Sequence, residues 1–228
     1  MSNKTSGAAG SHKRREHSRE ARRRLSVEDR RAELLDIGME LFSRHAYEEI
    51  SVDEIADRAG ISRGLLYHYF PTKRDFYAAV TRAAATEVER LTAPIPSIPL
   101  AEQLRAGIEA FLTYAESHPH GFLSAYRGGI AGDRKVRAMV ERGRRRQTQR
   151  ILQTLHAKEE HLPAMRLAVY GWTAMVQAVT AEWLERPEID RAQLANVLTR
   201  ALTSLVSSAY GEGTPGRPSA RPTSRRTA

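Results

Sequence analysis

Arg63, Tyr67, His68 and Lys73 fall within eleven residues and share one chemical competence. An arginine can hold a guanine edge through two hydrogen bonds at once, tyrosine and histidine reach phosphates or base edges, and a lysine is a point charge suited to phosphate. Gly64 lacks a side chain where a nucleic-acid backbone or base could approach closely, and Leu65 stands beside it. Ser51 and Ser62 each precede an apolar-periodic run, so their hydroxyls read first as helix caps and second as phosphate contacts. None of these residue types is specific alone. Together on one short stretch they point to DNA.

The elements that must position them are legible on either side. Val52, Ile55, Ala56 and Ala59 recur at helical spacing, which predicts a helix over 52–59 capped by Ser51. Gly60 ends it, because the turn that follows needs a residue tolerant of positive φ. Ile61 restarts the apolar pattern, Ser62 caps a second helix, and Pro71 stops it by disfavouring helix at the preceding residue. With Leu66 and Phe70 facing inward, Arg63, Gly64, Tyr67 and His68 are left outside; Tyr69 and Phe70 read as packing. Two short helices joined through a Gly-containing turn make a helix-turn-helix. Thr72-Lys73 then opens a further helix with a cation where the dipole disfavours one, unless it meets an anion such as a phosphate.

The segment from Glu33 to Val80 carries the string LFSRHAYEEISVDEIADRAGISRGLLYHYFPTKRDFYAAV, with its Tyr67-His68-Tyr69-Phe70 group and Lys73 after it. It resembles the N-terminal domain of TetR/AcrR-type transcriptional regulators. The resemblance covers about a quarter of the chain; the rest matches in architecture and not in motif.

Composition sets the outer bounds. The 228 residues contain no cysteine, which excludes disulfides, Cys-ligated zinc and thiol catalysis. The net charge of +9 sits at the two ends: residues 1–25 hold eight Lys/Arg against two Glu, and residues 211–228 hold four Arg against one Glu. Residues 26–92 hold nine Lys/Arg against thirteen Asp/Glu, so the helix-turn-helix region is acidic, with Arg63, Lys73 and Arg74 as its useful cations. Sequence-independent attraction to phosphate therefore falls to the basic run KRREHSREARRR at 13–24. That run is either a solvated tail or an arm that enters the minor groove. A polar, basic start without an apolar stretch is not a secretory signal, and the Leu167 to Ala181 run, broken by Thr173, Gln177 and Thr180, falls short of a membrane span. A cytoplasmic protein with no membrane partner is expected.

The expected organisation is all-α: a disordered basic arm over 1–25, a three-helix helix-turn-helix DNA-binding domain over 26–92, a helical ligand-binding and dimerisation bundle over 93–210, and a disordered basic tail over 211–228. Helix 1 starts after Ser26, with Leu34, Ile37, Gly38, Leu41 and Phe42 inward, and closes at His45-Ala46-Tyr47. Helix 4 runs from about Thr72 to Leu91. Pro94, Pro96 and Pro99 mark the junction. A helix from Leu100 ends at His118-Pro119-His120-Gly121, and a short one covers Phe122 to Tyr126. Long helices follow over 134–155, 163–184 and 189–209.

What the resemblance implies goes further. Regulators of this kind dimerise through a four-helix bundle made from their last two helices, here 163–184 and 189–209, and two reading heads would then address a pseudo-palindromic double-stranded DNA operator. They carry a small-molecule pocket inside helices 5–8, with Phe111, Tyr114, His118, Phe122, Tyr126, Met139, Gly143, Trp172, Met175 and Gln177 as candidates here for a largely apolar ligand. Gly143 either leaves room for that ligand or allows close helix packing. Repression, with release by the ligand, comes from the resemblance alone. No nucleophile motif, phosphate loop or metal-ligand spacing appears: His118, His120, His156 and His161 match no helix-face or turn pattern with carboxylate support, Arg144-Arg145-Arg146 reads as a solvated helix face, and the Gly128 to Gly132 run lacks the strand–helix context and lysine of a phosphate loop. No enzyme activity, metal or cofactor is expected. Two rival readings are a sequence-tolerant DNA-packaging protein driven by the basic tails, and a small-molecule-binding helical protein with a vestigial reading head.

Overall fold

The structure is a computed structural model that describes residues 26–127 and 133–210. The expected arm, the expected tail and the glycine run between Gly128 and Gly132 lie outside the described residues. Within them the chain forms α1 (Val27–Arg44), α2 (Val52–Ala59), α3 (Arg63–Tyr69), α4 (Lys73–Leu91), α5 (Leu100–Ser117), α6 (Pro119–Tyr126), α7 (Arg134–Thr154), a 3₁₀ turn (Glu159–His161), α8 (Leu162–Glu185) and α9 (Arg191–Ala209). No helix among the described residues is long and apolar enough to cross a membrane.

Hydroxyl caps start every helix of the head. Ser26, Ser51, Ser62 and Thr72 accept from the amides of Asp29, Glu54, Leu65 and Asp75 at 3.0, 3.0, 3.2 and 3.0 Å. Each bond satisfies one of the amides that a helix start leaves without a partner. Gly60 takes φ 64° and ψ 36°, and the amides of Gly60 and Ile61 close back on the carbonyls of Asp57 and Ala56. The head core is aromatic: Phe42 meets Tyr77 edge-on at 4.8 Å between ring centroids, and Phe70 meets Phe76 at 5.0 Å.

Three boundaries differ from expectation. Pro119 opens α6 instead of ending α5, because a proline at the first helical position loses no hydrogen bond and has its φ preset. At the last helix Asp190 and Gln193 form a reciprocal capping box, so α9 begins at Arg191 and leaves Ile189 outside; the carbonyl of Ile189 instead accepts from Trp183 Nε1 at 2.7 Å. The 3₁₀ turn before α8 has no counterpart in the sequence reading.

The helices behind the prolines are packed directly onto the head. Val136 of α7, fully buried, belongs to the head core, and α6 packs on α1. A methyl at Gly121 would lie 3.1 Å from the Phe42 carbonyl oxygen, so α6 meets the end of α1 backbone to backbone. α4 and α7 run parallel, pinned at one end by Lys135 Nζ to Asp75 Oδ1 at 2.7 Å and at the other by Arg146 Nη2 to Glu89 Oε1 at 2.6 Å. Behind them α5, α8 and α9 share a second core that includes Leu112, Met165, Val169 and Leu198, where Trp172 Nε1 donates to the Leu198 carbonyl at 2.9 Å.

Candidate nucleic-acid interface and ligand cavity

Only Leu66 of the short α3 is fully buried, and the outer face carries Arg63, Gly64, Leu65, Tyr67 and His68, all exposed. Leu65 and Tyr67 are large apolar or aromatic groups left 39% and 44% open to solvent. A Cβ on Gly64 would find only Ser62 Oγ, at 3.9 Å, so nothing inside the subunit requires a glycine there. Gly64 is the second residue of α3, and its missing side chain leaves this part of the outer face open. The Arg63 guanidinium pairs with Asp53 of α2 at 2.6 Å, on the surface, where solvent keeps such a pair weak and exchangeable. Ser51 and Ser62 spend one lone pair each as caps, which leaves their O–H groups able to donate to a further acceptor.

Two cations of the head make contacts inside the subunit. Lys73 has no ion-pair partner within salt-bridge distance among the described residues: its ammonium donates to the Tyr47 carbonyl at 2.5 Å and lies 4.3 Å above the Tyr47 ring, and burial pushes its pKa down against the opposing pull of the nearby Glu48. A carbonyl and an aromatic face inside the subunit thus take up part of the bonding capacity of this cation. Arg74, counted as a useful cation, turns back to Asp133 at the start of α7, 3.3 Å away.

Between head and bundle lies a cavity of about 560 Å³. Of the residues expected on it, Phe111, Tyr114, His118, Phe122, Tyr126, Met139, Gly143, Trp172 and Gln177 line its wall. Met175 does not. At 100° per residue it is turned off the face that Trp172, Thr173, Val176 and Gln177 present, and it packs on the second core instead. Gly143 has no atom within 4 Å of a would-be Cβ, so it leaves space and is not a point of close helix packing. The cavity also reaches beyond α5–α8: Met39, Phe42 and Ser43 of α1, Tyr77, Val80 and Thr81 of α4, and Leu202 and Val206 of α9 complete it. Sequence reasoning missed these because each sits on a helix already assigned a core face. Arg150, also on the wall, was missed because it belongs to a helix dense in arginine.

Polar groups on the wall are few and positioned. Gln177 Oε1 accepts from Arg144 Nε at 3.0 Å and Nη2 at 2.8 Å, so Arg144 turns inward and is not a solvated face residue, while Arg145 and Arg146 pair with Glu141 and Glu89 near the surface. The hydroxyls of Tyr114 and Tyr126 have no hydrogen-bond partner among the described residues, and burial pushes both up to about 12, so they remain protonated donors. His118 stacks on Tyr114 at 4.3 Å and His161 packs on Tyr210 at 4.9 Å.

Residues 34–80 match the family described as bacterial regulatory proteins, tetR family, and residues 100–205 match the tetracyclin repressor-like C-terminal domain. A crystal structure of a tetR-family transcriptional regulator from Streptomyces coelicolor is 31% identical, with 83% of this chain and 85% of that one covered at a TM-score of 0.73. The chain belongs to the TetR family. Among curated relatives, the transcriptional activator FasR of Mycolicibacterium smegmatis is 31% identical over 52% of this TetR-family chain and 55% of its own length. The transcriptional repressor KstR2 of Rhodococcus jostii is 43% identical over 23% of this chain and 26% of its own. The chain spans about half the length of the curated relatives it matches.

Proposed function

We propose that this TetR-family chain is a DNA-binding transcriptional regulator, a repressor that holds a pseudo-palindromic operator as a homodimer and is released by a small molecule. The observation that carries the reading is the outer face of α3, where Arg63, Gly64, Tyr67 and His68 stand exposed around a glycine with no internal reason to be one. Arg63 reads a base, Tyr67, His68 and Lys73 position on phosphates, and Ser51 and Ser62 add contacts at their helix starts. Leu65 packs beside them against a base methyl or sugar.

Dimerisation is supported by the outer faces of α8 and α9. Leu167 is 74% exposed and Val197 55%, and they continue into Gly171, Ala178 and Leu205 along the same two helices. A Cβ at Gly171 would meet nothing within 4 Å, so the subunit itself does not need this glycine either. A second copy packed closely on small residues does.

Release is supported by the makeup of the cavity wall. α1, α4 and α6 line it while also carrying or packing under the reading head, so a ligand and DNA can favour different settings of the same helices. Carrying the DNA-bound form from nearly full to nearly empty requires the ligand to prefer the released setting by about 10⁴-fold.

The test is selection of bound DNA from a random duplex pool at about 0.15 M salt, followed by a reporter placed behind the selected site. The expected result is an enriched palindrome and a reporter that falls when the protein is expressed. No enrichment, with binding that vanishes as salt rises, moves the reading to packaging by the basic ends. An enriched palindrome with a rising reporter makes the protein an activator.

A further inference from the structure

We propose that the cavity takes a single elongated amphiphile, its apolar body lying along α7 and its anionic head held by Arg150 at the open end. The inference deepens the ligand-release reading above and rests on it for the biological role, but not for the binding itself.

The shape comes first. Along α7 the wall is made by Met139, Gly143, Gln147, Arg150 and Thr154, spaced three or four residues apart. From 139 to 154 that is a run of about 22 Å at 1.5 Å per residue. An extended molecule can follow the α7 wall over this length. The closed end of the cavity lies in the head, against the buried Phe42 and Tyr77. Its other end lies at Pro94, Leu100 and Ala101, all exposed.

The charges on the wall then set the orientation. Apart from His118 and three tyrosines that burial keeps protonated, Glu89 and Arg150 are its ionisable acid and base, and both lie toward the exposed end. Glu89 is already neutralised by Arg146 at 2.6 Å. Arg150 has no carboxylate partner among the described residues. Its Nη1 donates to the Glu89 carbonyl at 2.8 Å and its Nη2 to the Thr92 carbonyl at 2.9 Å, both at the C-terminal end of α4. Those bonds fix the guanidinium plane and use two of its five N–H groups. The helix end supplies a partial negative charge of about half a unit, which leaves net positive charge facing a half-buried, mainly apolar space. A carboxylate or phosphate completes it with paired charge-assisted hydrogen bonds, while methylenes fill the tube beyond.

A second role for Arg150, a clip that ties α7 to the end of α4, predicts no dependence on ligand charge. The experiment separates the two. Trp172 lines the cavity, so its fluorescence in the full chain reports filling. Hexadecanoate and hexadecan-1-ol share one chain length and differ in head charge; both are titrated below the concentrations at which they aggregate, with no DNA present. The expected result is at least tenfold tighter binding of hexadecanoate, reduced to near parity in Arg150→Gln with hexadecan-1-ol unchanged. Arg150→Lys keeps the charge and loses the paired geometry, and it should retain part of the preference if Arg150→Gln fails to fold. Hexadecyl phosphate in place of hexadecanoate tells a phosphate head from a carboxylate. Equal affinity of the charged and neutral probes for the unaltered protein, no binding of either, or an unchanged ratio in both variants overturns the proposal. A failed DNA selection, by contrast, leaves this binding result standing and removes only the regulatory role.

Discussion

Two glycines in helix interiors should answer the same substitution with opposite signs. A methyl at Gly38 of α1 would lie 2.4 Å from Val80 Cγ2 and 2.7 Å from Phe76 Cζ on α4. Both neighbours are buried, at 4% and 1% exposure, and valine is stiff about χ1, so the helices must part to admit it. Overpacking of this kind costs about 1–3 kcal/mol. Helix propensity returns about 1 kcal/mol, which leaves Gly38→Ala less stable by about 1 kcal/mol. At Gly143 of α7 nothing lies within 4 Å, so Gly143→Ala gains about 1 kcal/mol unopposed. The two variants should therefore differ by about 2 kcal/mol, or roughly 4–8 °C in Tm for a chain of this size. The assay is thermal and urea unfolding at one fixed protein concentration, because the Tm of a dimer moves with concentration. Equal shifts, or a Gly143→Ala protein less stable than Gly38→Ala, would refute both the packing of α1 on α4 and the open space beside α7.

Arg63→Ala should relax sequence preference by about 1–3 kcal/mol at one base position, whereas Lys73→Ala should weaken all sequences alike and lower the salt slope by about one. Because Lys73 also serves the Tyr47 carbonyl, its loss should cost the head about 1 kcal/mol of stability as well; identical behaviour of the two variants in binding would undo the division of roles. Gly171→Glu places a charge on the exposed stripe of α8 and should raise the dimer dissociation constant at least tenfold in sedimentation equilibrium; an unchanged constant removes that face from the interface. Tyr77, Tyr114 and Tyr126 are pushed up to about 12 by burial, while tyrosines of the unfolded chain ionise near about 10. Their contribution to stability is therefore complete below about pH 10 and is lost as pH rises toward about 12. Tyr77→Phe should flatten that loss, and a titration curve with the same slope as the unaltered protein would contradict the assignment.

Within the head, the sequence was read closely to its structure. Val52–Ala59 and Arg63–Tyr69 match the expected helices because a Ser before each and a Gly or Phe-Pro after each act over three or four residues. Pro119 was misread as a stop by the same local logic, since its effect depends on whether the chain is leaving one helix or entering the next. Side-chain partners were harder. For Lys73 the structure adds a partner inside the subunit that local sequence does not show, the Tyr47 carbonyl 26 residues earlier. Arg144 was counted on a solvated face, but Gln177, 33 residues later, draws it inward. Met175 was placed on the cavity by composition, and helical phase moved it off.

By itself, then, the sequence determined where the helices of the head begin and end, which face of α3 is left to solvent, and the family to which the head belongs. Those properties follow from hydrogen bonds and steric limits that act within one turn. Only the tertiary structure decided that Phe42 and Tyr77 line a cavity, that Val136 completes the core of the head, and that Arg150 reaches the same cavity wall while bonded to the Glu89 and Thr92 carbonyls. Each of these depends on which of several apolar faces meet and at what offset. A face that is apolar at helical spacing satisfies the same pattern whether it meets a neighbour or lines a void, and only packed helices tell the two apart.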